Sequence, residues 1–90
     1  MKSRTTTGFR KAFAGLPASV QEQAREAYRR FTHDPWHPGL RFKPVHSGLP
    51  IYSVRIGKGY RAIGQRNENG VVWFWIGSHA DYDKLLAQLP

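Results

Sequence analysis

The segment WFWIGSHADYDKLL, residues 73–86, places ionisable side chains directly after a run of bulky apolar residues. Near neutral pH, the imidazole of His79 could accept a proton from a ribose 2′-hydroxyl or donate one to a leaving 5′-oxygen. Tyr82 falls on the same face of a helix and could bind a phosphate or stack on a base. We therefore predict catalytic roles for His79 and Tyr82. The alternative is that Ser78 or His79 caps a helix while Tyr82 packs in the core.

Arg55 and Arg61 are the second pair of candidate site residues. Arg55 lies in the alternating pattern IYSVRI, and Arg61 follows the turn GKGY. An unpaired buried guanidinium is costly, so each head group needs either a carboxylate or a solvent-filled cleft. The chain has only six acidic residues, and Asp83 is explained by the favourable position of negative charge at a helix N-terminus. We therefore predict an open basic face containing Arg55 and Arg61, with a structural ion pair as the alternative.

The loop sequence HDPWH suggests a metal site, and its spacing argues against one. His33 and His37 are four residues apart, which suits chelation on a helix, but Pro35 interrupts a continuous helix here. Beyond these two histidines and Asp34, no convincing further ligand lies nearby in the sequence, and the chain has no cysteine. We expect neither a metal nor another cofactor, and we expect Trp36 to fold back and anchor the loop.

Composition limits the class of protein. Ninety residues predict one domain, residues 1–90, and fourteen Lys and Arg against six Asp and Glu give a formal charge of +8. Such a surplus favours a polyanionic partner, although a basic surface without a specific partner is the alternative. Because the chain lacks both a membrane-length apolar run and a hydrophobic signal region, we expect a soluble cytoplasmic protein.

The first half of the chain has helical periodicity. Apolar residues at i, i+3, i+4 and i+7 predict a helix over Thr7–Leu16. Pro17 then separates it from a second helix, which continues to about Phe31. Ser19 and Glu22 have capping-box spacing, and the alternative is that Pro17 starts this helix earlier. Together the two helices form a predicted helical hairpin.

The second half changes to the alternation of β-strands. We predict strands over 40–43, 52–56, 60–66 and 71–76, with a weaker edge strand over 1–6 and a short helix after Ser78. The strand 71–76 is apolar on both faces, as expected in the middle of a sheet. The sequence therefore predicts an α+β domain, with the hairpin packed on an antiparallel sheet of about four strands.

The order of these parts resembles the RelE/ParE superfamily of bacterial type II toxin–antitoxin toxins. The segments YSVRIGKGYRAIGQR and WFWIGSHADYDKLL carry the resemblance, which covers nearly the whole chain. It implies that the hairpin lies across one face of the sheet. The RelE branch consists of ribosome-dependent, metal-independent mRNA endoribonucleases, in which a 2′-hydroxyl attacks the adjacent phosphate and translation is inhibited.

The resemblance also implies roles for individual residues. Arg61 would stabilise the phosphorane charge, Arg55 would orient the phosphate, and His79 would act as general acid or base, with Tyr82 at the position of a family aromatic. Ser53 stands where some RelE-type toxins have a lysine.

Four further residues are predicted to contact RNA: Arg41, Lys43, His46 and Lys58. His46 could be a second proton-transfer group or merely a solvated loop histidine. The implied partners are an antitoxin, which would cover the basic face, and mRNA on the ribosome. The ParE branch shares the fold but binds DNA gyrase and cleaves no RNA, and a basic nucleic-acid-binding module without toxicity is a third possibility.

Overall fold

The computed structural model describes residues 1–90 and has an α+β architecture. The elements in chain order are β1 (Lys2–Thr5), α1 (Thr7–Ala14), α2 (Ala18–His33), a 3-10 turn (Pro38–Leu40), β2 (Lys43–Pro44), β3 (Ile51–Ile56), β4 (Tyr60–Asn67), β5 (Gly70–Ser78) and α3 (His79–Gln88). This confirms the predicted fold class. None of the helices is long and apolar enough to cross a membrane.

The sheet has five strands in the order β1-β5-β4-β3-β2. It is mixed, because β1 pairs with β5 in parallel while the other neighbours are antiparallel. The predicted edge strand over 1–6 is confirmed as β1, and its parallel pairing corrects the predicted antiparallel sheet of about four strands. Side chains hold that strand in place: Trp73 donates from Nε1 to Ser3 Oγ (2.7 Å), and the Tyr28 hydroxyl donates to the Ser3 carbonyl (3.0 Å).

The helical hairpin covers one face of the sheet, as predicted. The main core lies between them, with Ala24 and Phe31 of α2 packed against Val54, Ala62 and other residues of the central strands. The phenyl ring of Phe31 meets the rings of both neighbouring core aromatics edge-on. Burial of this apolar face is the main source of stability for so small a domain.

Two local predictions about the first half and the following segment are wrong. No side chain caps α2, whose N-cap position is Pro17, so Ser19 lies inside the helix. The alternation of Leu40 and Phe42 does not form a strand, because Leu40 ends the 3-10 turn and Arg41 adopts left-handed backbone with φ 49°. Both apolar residues are nevertheless buried, and this burial produced the misleading pattern.

A smaller cluster packs on the opposite face of the sheet, beneath α3. Ile51 and Ile63 contact Tyr82 there, and Leu85 and Leu86 pack against the three. This cluster fixes α3 over β3 and β4. Arg55 and Arg61 lie at the ends of these strands, next to the β3–β4 turn. The cluster therefore places both arginines beside the first turn of α3.

A β-bulge in β5 allows its two tryptophans to pack on opposite faces of the sheet. Gly64 pairs with Trp73 but Ile63 pairs with Trp75, so Phe74 is the additional residue. The two tryptophans therefore point to opposite faces, one into each cluster. A Cβ at Gly64 would lie 2.5 Å from the Val71 side chain, which explains the glycine.

Candidate functional site

Arg55 and Arg61 face each other across two neighbouring strands. They are direct partners in the β3–β4 register, and Arg61 pairs on its other side with Gly77 of β5. Both side chains are half-buried. In the strand alternation they share the sheet face of Ser53 and Ile63, which is the face covered by α3.

Neither arginine of this pair has a carboxylate within ion-pair distance. Arg55 donates from Nε to the Gly57 carbonyl (2.9 Å), and Arg61 donates to the Tyr60 carbonyl (2.9 Å). The ion pairs of the structure join Glu26 to two arginines of α2, and the carboxylate of Asp83 contacts His79. The remaining guanidinium donors are available to an anion, as expected for an open basic face.

The electrostatics at Arg61 reflect this crowding of positive charge. Partial burial lowers the pKa of the Arg61 guanidinium, and the charges of Arg55 and then Arg41 lower it further. Tyr82 and Asp83 act in the opposite direction. The net effect is a lowered pKa, and a bound anion would offset part of the repulsion between Arg61 and Arg55.

His79 is the first residue of α3, but it is not the cap. Ser78 is the N-cap, and its Oγ accepts from the Asp81 backbone N–H (3.2 Å). The His79 backbone N–H donates to the Gly59 carbonyl (2.8 Å), which ties the start of α3 to the β3–β4 turn. The His79 side chain keeps 47% of its surface exposed, so the capping alternative applies to Ser78 and leaves the imidazole free for other contacts.

Asp83 is the residue of this site that the sequence reasoning missed. Its Oδ2 lies 3.1 Å from His79 Nδ1, one helical turn away. The i, i+4 spacing on α3 was the signal that could have found it. When Nδ1 carries the proton and donates it to the carboxylate, Nε2 is left as the acceptor on the outward side of the ring. His79 and Asp83 thus form an oriented imidazole–carboxylate pair.

Tyr82 lies in the core, with 6% of its surface exposed. Its hydroxyl donates to the buried Ser53 Oγ (3.1 Å), and its ring meets that of His79 at 66° with centroids 5.6 Å apart. This geometry favours a packing role for Tyr82 over contact with a base. Ser53 accepts the hydrogen bond from the tyrosine hydroxyl.

The four flanking residues that were predicted to contact RNA separate into two groups. Lys43 is exposed and pairs with Ser53 in the register, so it shares the face of the arginine pair, and Lys58 is exposed in the adjoining turn. Arg41 is close enough to Arg61 to affect its pKa. His46 differs, because its Nδ1 accepts from two backbone N–H groups of its own loop and its Nε2 lies 2.5 Å from the carbonyl oxygen of the last residue. Its imidazole fastens that loop.

The histidines of the HDPWH loop also serve local structure. His33 Nδ1 contacts the Arg29 carbonyl (2.8 Å), and His37 Nδ1 accepts from the Gly39 N–H (3.0 Å). No group of three or more His, Cys, Asp or Glu side chains is arranged to hold a metal ion.

Comparisons with known proteins agree with this geometry. The family model described as ParE-like toxin domain matches residues 18–84. No curated protein sequence matches the chain significantly.

Solved structures similar to this chain include the RelB–RelE antitoxin–toxin complex from Methanococcus jannaschii, at 12% identity and a TM-score of 0.73, over 91% of this chain and 96% of that one. The RelBE2 toxin–antitoxin complex from Mycobacterium tuberculosis matches at 21% identity and a TM-score of 0.69, over 87% and 96%. YafQ from Escherichia coli matches at 10% identity and a TM-score of 0.67, over 90% and 96%. At these identities the structural matches establish a shared fold.

Proposed function

The chain belongs to the ParE-like toxin domain family, and we propose that it is the toxin of a toxin–antitoxin pair that cleaves mRNA on the ribosome. The observation that carries the proposal is the convergence of two groups of side chains at one end of the sheet. Arg55 and Arg61 lack carboxylate partners, and the His79–Asp83 pair begins the helix that follows β5. Metal-free RNA cleavage requires these components: cationic donors for a phosphate and a group that moves a proton.

The arginine pair is the proposed phosphate site. Guanidinium groups match phosphate oxygens in charge and geometry, and the arginines stand opposite each other in adjacent strands. Negative charge on the non-bridging oxygens increases as the 2′-oxygen attacks phosphorus. Arg61, which is half-buried in the middle of the sheet, would stabilise that charge, and Arg55 at the sheet's edge would orient the phosphate.

The imidazole of His79 is the proposed proton acceptor. With Nδ1 held by Asp83, Nε2 would take the proton of the 2′-hydroxyl as its oxygen forms the bond to phosphorus. The bond from phosphorus to the 5′-oxygen breaks, leaving a 2′,3′-cyclic phosphate on one fragment. The 5′-oxygen receives its proton from the imidazolium or from water. The role of Asp83 is to orient and stabilise the imidazole.

The openness of the site supports dependence on the ribosome. His79 and Arg61 line none of the cavities of the structure, whereas Arg55 lines one beside α2 together with Glu22 and Glu26. An open surface of this kind has little means of fixing a flexible RNA strand, so a second surface must present the substrate. The net charge of +8, together with exposed Lys43 and Lys58, suits a particle made largely of RNA.

An antitoxin is the proposed protein partner. Several of the structures that share this fold are complexes of RelE with RelB. The unpaired cations Arg55 and Arg61 would be neutralised by an acidic or amphipathic segment laid over α3 and the adjoining strands. Such a segment would block both the phosphate site and His79.

Mapping of new 5′ ends on a translated reporter mRNA would test the nuclease proposal. The wild-type chain, expressed without an antitoxin, should cut at positions set by the reading frame, and His79→Ala and Arg61→Ala should abolish the cuts. Asp83→Asn should reduce them. His33→Ala is the matched control, since this histidine is exposed on α2 away from the site. Full cleavage by both alanine variants would refute the assignment.

Inhibition of DNA gyrase is the second candidate function. It is favoured by the match to a family model named for ParE and by Ser53 at the lysine position. A supercoiling assay with purified chain separates the two: inhibition without RNA cuts would support gyrase as the target. Soluble chain that neither arrests growth, cuts RNA nor inhibits gyrase would indicate a basic binding module.

A further inference from the structure

Trp36 remains on the surface, although the HDPWH loop folds back onto the domain. It keeps 56% of its surface exposed, more than any other large apolar side chain. One side of the indole packs against the buried ring of Phe42, with centroids 5.0 Å apart. That contact explains how the loop is anchored. It does not explain why the rest of the indole is exposed. Exposure of so large an apolar side chain to water is unfavourable.

Arg66 connects Trp36 to a second aromatic ring. Its guanidinium carbon lies 5.4 Å from the centroid of Trp36 and 5.3 Å from that of Tyr52. It also donates from NH1 to the Tyr52 hydroxyl (3.2 Å). Arg66 takes part in no ion pair. We call the three residues Trp36, Tyr52 and Arg66 the tryptophan cluster.

The tryptophan cluster is separate from the candidate cleavage site. Tyr52 packs against the main core, on the hairpin face of the sheet, whereas the neighbouring Ser53 contacts Tyr82 on the α3 face. Along β4, Arg66 lies five residues from Arg61, which is about 16 Å in an extended strand. A group bound at the cluster therefore could not contact His79 directly.

We propose that the tryptophan cluster is a stacking site for an unpaired base of single-stranded RNA. An exposed indole offers a flat apolar face to a nucleobase, and the adjacent guanidinium offers donors to base or phosphate oxygens. An exposed indole beside a cation without an acidic partner, on a chain with net charge +8, suits the flat face of a nucleobase together with its phosphate. The choice of RNA rests on the proposed function, whereas the binding test below does not require cleavage.

Indole N–H signals of the full-length chain provide a direct test. The chain has three tryptophans, so ¹⁵N-labelled protein should give three indole cross-peaks, of which Trp36→Leu identifies one by its absence. Titration with hexauridylate should shift the Trp36 peak. Trp73, whose indole donates to Ser3, and Trp75, which packs near Tyr82, are the internal references.

The variants and a second probe make the test specific. Trp36→Leu should weaken hexauridylate binding by about 5- to 150-fold, since stacking on an aromatic side chain typically contributes that much. Trp36→Phe should restore part of it. In Arg61→Gln the Trp36 shift should persist, which separates this site from the cleavage site. An unmoved Trp36 peak, or an equal shift on addition of inorganic polyphosphate, which has charge but no bases, would overturn the proposal.

Discussion

The placement of two arginines directly opposite each other predicts that the candidate site reduces the stability of the fold. Arg55 and Arg61 are register partners on adjacent antiparallel strands, and no carboxylate lies within ion-pair distance of either. Replacing Arg61 by Gln keeps a long polar side chain and removes one charge. We therefore expect Arg61→Gln to be more stable than the wild-type chain, although it should lose activity.

The size of the gain follows from cross-strand pairing and domain size. Charged pairs directly opposite each other on antiparallel strands change stability by about 0.2–1 kcal/mol. Arg61 is also half-buried, and burial and Arg55 together lower its pKa, so the charged form is disfavoured in the folded state. For a domain of this length, such a free energy corresponds to a rise in Tm of about 1–8 °C.

Thermal unfolding at low and high salt would measure this gain. The increase should diminish as salt is added, because the Debye length falls from about 30 Å at 0.01 M to about 3 Å at 1 M. Arg4→Gln is the matched control, since Arg4 is exposed on β1 and makes no side-chain hydrogen bond or ion pair. Its Tm should remain nearly unchanged.

A double-mutant cycle with Arg55→Gln isolates the repulsion itself. Once one charge of the pair has been removed, removal of the second should bring less stability than it does alone. The reasoning would be refuted if Arg61→Gln lowered the Tm at low salt, or if the two substitutions were additive. Additive substitutions would mean that solvent already screens the pair. A lowered Tm would mean that Arg61 makes favourable contacts that outweigh the repulsion from Arg55.

Three further predictions follow from contacts elsewhere in the structure. Tyr82→Phe and Ser53→Ala should each lower the free energy of unfolding by about 1–3 kcal/mol, because each leaves a buried hydroxyl without its partner. Denaturant unfolding should show that the double variant loses less stability than the sum of the two single losses. Additive losses would contradict the contact. The pKa of Glu26 is lowered below its usual 4.5 by its hydrogen bond to an arginine of α2, so the stabilisation is present above that pH and is lost as the pH falls through the lowered pKa. Because the pair is exposed, a pH series of melting curves should show a slightly larger acid loss in the wild type than in Glu26→Gln, and equal losses would contradict a stabilising role. Gly70→Ala should detach β1, since a Cβ would lie 1.9 Å from the Lys2 carbonyl oxygen at a backbone φ of 143°; hydrogen exchange should then show loss of protection in β1 first, and unchanged protection would argue against this account.

Much of the fold could be predicted because hydrophobic periodicity reports burial. The helical hairpin and strands β3, β4 and β5 were recovered near their observed bounds, and the doubly apolar pattern of 71–76 correctly indicated an internal strand. The same signal failed at Leu40 and Phe42, which are buried without being in a strand. Burial of every second residue can arise from a turn followed by an extended residue as well as from a strand. The alternation of apolar and polar residues alone does not distinguish a turn from a strand.

For the site, residue types and their order identified His79, Arg55 and Arg61 as candidates. A histidine just after a central strand and arginines on neighbouring strands can be recognised from the sequence, because strand order along the chain already places them at one end of the sheet. The pairing of His79 with Asp83 was within reach of the same reasoning, because it depends only on helical spacing.

What only the tertiary structure decided are contacts between segments far apart in sequence. The edge strand β1 was indicated by the sequence, but its parallel place beside β5 depends on backbone pairing and on the contacts of Trp73 and Tyr28 with Ser3. Trp36 likewise stays exposed where it contacts Phe42 and Arg66. Most of these contacts join residues that are far apart in the sequence. Local propensity and periodicity carry no information about the distance between such residues. The sequence by itself determined which elements form and which side chains they present, whereas packing decided which of those side chains meet.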